Sequence, residues 1–149
     1  MKQRVLIFLS LFTLTIFVSS CEKDVYGCMD PLSENYNPEA NISDNSCVYA
    51  RDEFIGSYNS NENCSSGNWT YNLNITAASS LDQVILNNFG DFGENVRATV
   101  SGNNLSFSDT QGGITFSGTG SINGTTLTII YTASFGTDTD NCTMTAIKQ

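Results

Sequence analysis

The segment "WTYNLNIT", residues 69–76, decides the fold class of this chain. Its large apolar side chains alternate with threonine and asparagine, which is the two-residue period of a strand with one buried face. The predicted buried face carries Trp69, Tyr71, Leu73 and Ile75. The pattern therefore predicts a β-strand that lies half in a core and half in water.

Runs of the same kind occupy most of the chain beyond residue 54. Turn signals separate them, most clearly "SGNN" at 101–104 and "NG" at 123–124. Eight strands are predicted, at 54 to about 63, 69–76, 83–89, 95–100, 105–107, 114–122, 125–133 and 141–147. We therefore expect residues 54–149 to form an all-β domain, as an eight-stranded up-and-down barrel or, as the alternative, a flattened sandwich.

The bulky side chains on these strands indicate what occupies the interior of the domain. Eight strands enclose a space that side chains can fill or that can hold one small molecule. We interpret the bulky residues mainly as a packed core. Gly118 and Gly120 then indicate a strand bend or room for facing aromatic rings. The alternative is a ligand cavity, whose contacting residues would be Trp69, Tyr71, Phe116 and Tyr131.

The N-terminal segment, residues 1–20, has the features of a signal peptide. Two basic residues precede an apolar run over residues 5–18 that is too short to span a membrane comfortably. The stretch "VSSC" at 18–21 resembles the lipobox of bacterial lipoproteins. This resemblance implies cleavage before Cys21, whose acyl chains would then hold the protein in a membrane. The alternative is an ordinary secretory signal that ends near a cysteine by chance.

Assigning Cys21 to lipid leaves four cysteines, an even number suited to an oxidising compartment. Four cysteines permit three pairings, and the sequence alone does not choose among them. We favour Cys28 with Cys47, which bracket one compact motif, and Cys64 with Cys142, which bracket nearly all of the β-domain. In an up-and-down barrel the first and last strands are neighbours, so the second bond would pin the closing seam.

A tether, residues 21–26, leads to a segment of different composition, residues 27–50, "GCMDPLSENYNPEANISDNSCVYA". This segment is too small to build its own apolar core, so it needs a disulfide. It resembles a repeat of exported Bacteroidota proteins, approximately GC-x-DP-x-A-x-NYNP-x-A-x-x-DDGSC-x-Y. Ser43 and Asn45 depart from the repeat, which has an acid and a glycine there. Because asparagine tolerates positive φ, we expect the turn at Asn45 to survive.

Five side chains of this segment carry oxygen atoms that suit calcium: Asp30, Asn35, Asn37, Asn41 and Asp44. Our main interpretation is that they cap turns in a stapled loop, because the calcium-loop pattern D-x-[DN]-x-[DN]-G is absent. Calcium binding is the alternative, and no other cofactor is expected. Zinc is not expected either, since the chain has no histidine and no closely spaced cysteine pair.

The net charge of the chain indicates which classes of partner it can bind. Loss of residues 1–20 removes two basic residues but no acid, so the mature formal charge is 4 minus 15, or −11. Such a chain cannot neutralise phosphates, which argues against a nucleic-acid partner. Glu22 and Asp24 are similar to the acids that follow the lipidated cysteine in surface-exposed Bacteroidota lipoproteins. That similarity implies exposure at the cell surface, and the alternative is that these acids belong to a plain solvated tether. We expect an outer-membrane lipoprotein that is a monomer.

Catalytic motifs are missing from the sequence. Without histidine there is no Ser-His or Cys-His pair, and neither a nucleophile elbow nor a phosphate-binding glycine motif occurs. The loop "NNFGDFGENV" at 87–96 carries Asp91 and Glu94. We interpret it as a glycine-hinged loop on a barrel rim, rather than as a catalytic carboxylate pair. We therefore expect no enzymatic activity.

The opening run "FIGSY" at 54–58 is similar to the first strand of lipocalin-like domains, and the whole domain resembles the small lipocalin-like domains of Bacteroidota lipoproteins. Membership would imply a barrel able to carry a small hydrophobic ligand. We expect instead a structural or recognition role for a lipid-anchored envelope protein. The alternatives are a lipocalin-like carrier and a carbohydrate-binding module that uses exposed aromatics such as Tyr58 and Phe92.

Overall fold

The computed structural model describes residues 22–149, so the signal segment and Cys21 lie outside the described residues. Two short parallel strands, β1 (Tyr26–Gly27) and β2 (Ile42–Ser43), belong to the N-terminal module. A 3-10 helix at Ala50–Glu53 follows and leads into the β-domain. Within the described residues, no helix has the length and apolar character needed to cross a bilayer.

The β-domain is a closed barrel of eight antiparallel strands. The strands are β3 (Gly56–Cys64), β4 (Gly67–Ala77), β5 (Gln83–Phe89), β6 (Glu94–Ser101), β7 (Asn104–Gln111), β8 (Ile114–Asn123), β9 (Thr126–Phe135) and β10 (Asp138–Lys148). Each strand pairs with the next one along the chain, and β10 pairs with β3 to close the ring. The prediction of an eight-stranded up-and-down barrel is confirmed, and the chain does not form a sandwich.

Aromatic rings fill the middle of the barrel. The ring of Phe89 lies 5.2 Å from that of Phe107, 5.7 Å from that of Phe116 and 4.6 Å from that of Tyr131, measured between centroids. All four side chains are buried. Interiors packed in this way gain from apolar burial and from edge-to-face ring contacts. This part of the barrel is therefore a core of side chains.

Two glycines of β8 make room for that core. A Cβ atom on Gly118 would lie 2.5 Å from the carbonyl oxygen of Ile130 and 2.9 Å from Cζ of Phe107. A Cβ atom on Gly120 would lie 2.8 Å from Cγ1 of Ile129. The interpretation that these glycines leave room for facing side chains accounts for both positions.

Both predicted disulfides are present. Cys28 bonds to Cys47 and staples the N-terminal module. Cys64 bonds to Cys142, its direct register partner, across the β3–β10 seam. The second bond therefore reinforces the one pairing that joins the two ends of the barrel sequence.

The 3-10 helix lies at the end of the barrel at which the chain enters. Phe54, directly after this helix, is fully buried in the core. Nη1 of Arg51 donates a 2.9 Å hydrogen bond to the carbonyl oxygen of Ala78. Nζ of Lys148 donates a 2.7 Å hydrogen bond to the carbonyl oxygen of Glu53. These contacts tie the helix to a connecting loop and to the last strand.

Candidate ligand-binding site

A cleft of about 620 Å³ opens at the other end of the barrel, among the β3–β4, β5–β6, β7–β8 and β9–β10 connections. Its walls are largely apolar and include Trp69, Phe92 and Ile114, while Glu62 and Asp140 supply polar atoms. A concave, mainly apolar space with a few polar groups is typical of small-molecule sites, which measure roughly 300–1,000 Å³. The mouth of the barrel is therefore the candidate functional site.

The β5–β6 loop forms one rim of this cleft, as the glycine-hinged pattern predicts. Asn88, Gly90, Asp91 and Gly93 all adopt positive φ, with values of 55°, 66°, 59° and 76°. The Asn88 side chain holds the loop, because its Oδ1 accepts a 2.9 Å hydrogen bond from the Gly93 amide and its Nδ2 donates to Asp91. This tight turn places Phe92 at the mouth, where it is 49% exposed.

Glu62 borders the cleft from the inner face of β3 and is only 4% exposed. Its Oε1 accepts a 2.6 Å hydrogen bond from the Tyr131 hydroxyl. Burial raises the pKa of the Glu62 carboxyl, and the charges of Asp140 and Asp91 raise it further, while the hydrogen bond from the Tyr131 hydroxyl acts in the opposite direction. The cleft thus borders a carboxyl group that is largely withdrawn from water.

Tyr71 connects the core to the rim loop. Its hydroxyl accepts a 2.9 Å hydrogen bond from the Gly90 amide and donates to Sδ of Met144 at 3.2 Å. Burial is the main cause that raises the pKa of this phenol. Tyr71 therefore stays protonated at neutral pH and serves as a fixed contact under the cleft.

Asp140, near the start of β10, anchors the β3–β4 hairpin at another part of the rim. Its Oδ1 accepts hydrogen bonds from the Ser65 hydroxyl at 2.6 Å and from the Ser66 amide at 3.0 Å. The Ser66 hydroxyl donates to Oδ2. These hydrogen bonds lower the pKa of Asp140, so its carboxylate adds a fixed negative charge to the cleft.

The four residues predicted to contact a ligand occupy different depths. Trp69 lines the cleft and is 41% exposed. Tyr71 and Tyr131 direct their hydroxyls to groups that border the cleft, Gly90 and Glu62. Phe116 is fully buried among the core rings.

One aromatic expected at the surface is not there. Tyr58 is fully buried, and its hydroxyl donates a 2.8 Å hydrogen bond to the carbonyl oxygen of Phe54. Burial raises its pKa to about 12. The expectation that Tyr58 forms part of an exposed carbohydrate-binding surface is therefore wrong, because the alternation of β3 points its ring inward.

Glu62 was missed by sequence reasoning. It lies in "YNSNENC", residues 58–64, where nearly every residue is polar and the buried face is hard to recognise. The available signal is the two-residue period, since Glu62 shares the inner face of β3 with Tyr58 and Ser60. Asp140 was missed for a similar reason, because it lies on a polar stretch of β10.

The five side chains considered for calcium all hold backbone groups of the N-terminal module. Each of them accepts a hydrogen bond of 2.8 to 3.0 Å from a backbone amide. Asp30 accepts from Leu32, Asn35 from Val48, Asn37 from Glu39, Asn41 from Val25 and Asp44 from Ser46. This arrangement agrees with the turn-capping interpretation, and calcium binding stays a prediction. Asn45 adopts φ 59°, so the expected turn is confirmed.

Glu62, Cys64 and Cys142 place ligand-type atoms within 4.8 Å of one another. The two sulfur atoms are bonded to each other, so neither can act as the thiolate that a metal requires. The group is therefore a disulfide next to a carboxyl and not a metal centre, and Glu62 and Cys64 line the cleft.

Comparisons of the chain with protein-family models, curated proteins and solved structures found no match.

Proposed function

We propose that this chain is a lipid-anchored lipoprotein of the cell envelope, held in the outer membrane by acyl chains on Cys21, which recognises a small molecule without catalysis. The observation that carries the recognition role is the cleft of about 620 Å³, where Trp69 and Phe92 remain exposed at the mouth. Apolar side chains grouped around a concave space stabilise a ligand by removing shared surface from water.

Two features support the anchor. Both disulfides favour an oxidising compartment outside the cytoplasm, and together they use every cysteine after Cys21. The remaining cysteine, Cys21, lies in the lipobox-like stretch at 18–21, where its thiol would carry an acyl group. The chain also enters the barrel at the end opposite the cleft, which favours a mouth directed away from the membrane.

Binding at the mouth is favoured over transport inside the barrel. The space below the cleft holds the packed rings of Phe89, Phe107, Phe116 and Tyr131. A lipocalin-like carrier would need that space for its ligand. The ligand of this protein would therefore stay partly exposed, as suits recognition at a surface. A glycan is the alternative ligand class, since three aromatic side chains, Trp69, Phe92 and Phe135, are exposed at the mouth.

Mass spectrometry tests the anchor. The full-length chain would be expressed in a bacterium that processes lipoproteins and purified from its membranes. We expect cleavage before Cys21, a mass increment for acyl chains on that residue and two intact disulfides. Cys21→Ala should lose the increment and leave the membrane fraction. A wild-type protein without acyl chains would overturn the anchor.

Fluorescence tests recognition at the mouth, because Trp69 is the single tryptophan of the chain and lines the cleft. Benzyl alcohol serves as a small neutral aromatic probe, with a detergent blank. We expect a saturable change in Trp69 emission and a several-fold weaker affinity in Phe92→Ala, which loses an aromatic contact.

Ile147→Ala, on the outer surface of β10, is the matched control and should bind as the wild type does. No saturable change would contradict the cleft as a ligand site, and a glycan array would test the alternative.

A further inference from the structure

The charged side chains of the cleft all have the same sign. Glu62, Asp91, Asp138 and Asp140 line it, and no lysine or arginine is found in the lining that residues 22–149 provide. Arg51 and Lys148 are held at the opposite end of the barrel by carbonyl oxygens. The cleft therefore disfavours an anionic ligand and favours a cationic one.

The Glu62 carboxyl has no cationic partner in the described part of the chain, where the one ion pair found joins Arg51 to Asp52 at 3.8 Å. Its Oε1 is held by Tyr131, and the carboxyl borders the cleft. Water reaches this group poorly, since it is 4% exposed. An ionised carboxylate in such a position is stabilised by a cation brought to it, because burial of an unpaired charge is costly.

The aromatic side chains at the mouth suit the same kind of ligand. Trp69 and Phe92 are 41% and 49% exposed and line the same cleft as Glu62. Aromatic rings attract cations through their quadrupole and also bury the apolar part of an organic cation. Tryptophan is the strongest of the side chains in this respect.

We propose that the cleft binds a small organic cation, an amine or quaternary ammonium group carried on an apolar body, with the charge directed to Glu62 and the apolar part against Trp69 and Phe92. This inference rests on the proposed recognition of a small molecule at the mouth of the barrel. It adds the chemical class of the ligand and the side chain that selects it.

Three probes of nearly equal size test the charge: benzylamine, benzyl alcohol and benzoate. Each would be titrated into the acylated full-length protein at about pH 7.5, where the amine is protonated, with Trp69 emission as the signal. We expect benzylamine to bind about tenfold more tightly than benzyl alcohol. We expect benzoate to bind more weakly than either.

Glu62→Gln should remove most of the preference for benzylamine over benzyl alcohol. Glu53→Gln makes the same chemical change on an exposed residue of the 3-10 helix, away from the cleft, and should keep the preference. Circular dichroism of both variants confirms that the barrel is folded.

The outcomes separate this inference from the proposed function. Equal binding of benzylamine and benzyl alcohol would overturn the cationic ligand class and leave recognition at the mouth intact. A preference that persists in Glu62→Gln would overturn the role of Glu62. If none of the three probes changes Trp69 emission, the proposed function fails together with the inference.

Discussion

The Tyr131 hydroxyl donates a 2.6 Å hydrogen bond to Glu62 Oε1, which joins two residues 69 positions apart in the chain. Tyr131 lies on β9 and Glu62 on β3, and β10 separates these strands in the sheet. The bond therefore connects non-adjacent strands through the inside of the barrel. It fixes the orientation of a buried carboxyl next to the cleft, where an ionised group is costly.

Glu62→Gln should change how stability depends on pH. Burial raises the pKa of Glu62 above its ordinary value of 4.5, so the folded state holds this proton more tightly than the unfolded state does. The stability that results is complete below the unfolded pKa and is lost as pH rises through the folded pKa. The wild type should therefore lose stability relative to Glu62→Gln as pH rises through this window.

Urea unfolding of both proteins between about pH 4 and pH 8 measures this difference. A carboxyl with a lowered pKa away from the cleft, such as Asp109, contributes stability of the opposite pH dependence, but it does so in both proteins and cancels. Glu53→Gln should follow the wild-type curve. Parallel curves for the wild type and Glu62→Gln would show that the folded barrel does not perturb the titration of Glu62.

Ser60→Ala should stabilise the barrel by about 1 kcal/mol. Ser60 is 2% exposed, and its hydroxyl has no hydrogen-bond partner within residues 22–149. Replacing a buried hydroxyl that makes no hydrogen bond with a methyl group removes its desolvation cost. Ser57→Ala, at an exposed position of the same strand, should change stability by less than about 0.5 kcal/mol. Chemical unfolding that shows Ser60→Ala to be clearly destabilising would mean that the hydroxyl is satisfied.

The two disulfides should differ in what they contribute. Cys64 and Cys142 are 78 residues apart, and a loop of this length corresponds to roughly 4.5 kcal/mol of stability from restriction of the unfolded chain. Cys28 and Cys47 are 19 residues apart, which corresponds to roughly 3 kcal/mol. Urea unfolding of each paired alanine variant should therefore show the larger loss when the seam bond is removed. The reverse order would contradict the assignment of the β3–β10 seam as the more important constraint.

Gly118→Ala should destabilise the barrel by about 1–3 kcal/mol. The new methyl group would lie 2.5 Å from the carbonyl oxygen of Ile130, a backbone atom that cannot move without disturbing the β8–β9 pairing. Thr119→Ala, at the neighbouring exposed position, is the control and should have a much smaller effect in thermal unfolding. A tolerated alanine at Gly118 would show that the backbone at Ile130 has room to shift.

Strand positions were largely predictable, because alternation is a local property of the chain. The predicted run 83–89 coincides with β5, and the pair of turn signals marks the β6–β7 and β8–β9 connections. The prediction was short for β7, which was placed at 105–107 but extends to Gln111. Beyond Phe107 the inner positions are polar, so the apolar pattern ends while the hydrogen bonds to β8 continue.

The sequence by itself determined the number of strands in the β-domain and the place of most of them, since alternation and turn signals are short-range patterns. It left open a barrel or a sandwich and three pairings of the four cysteines, and the tertiary structure decided both. Only the tertiary structure decided that Tyr58 is buried, that Glu62 meets Tyr131, and that four distant connections enclose a cleft. These features depend on which side chains face one another across the inside of the barrel. Register and closure set that arrangement, and no single segment of the chain contains it.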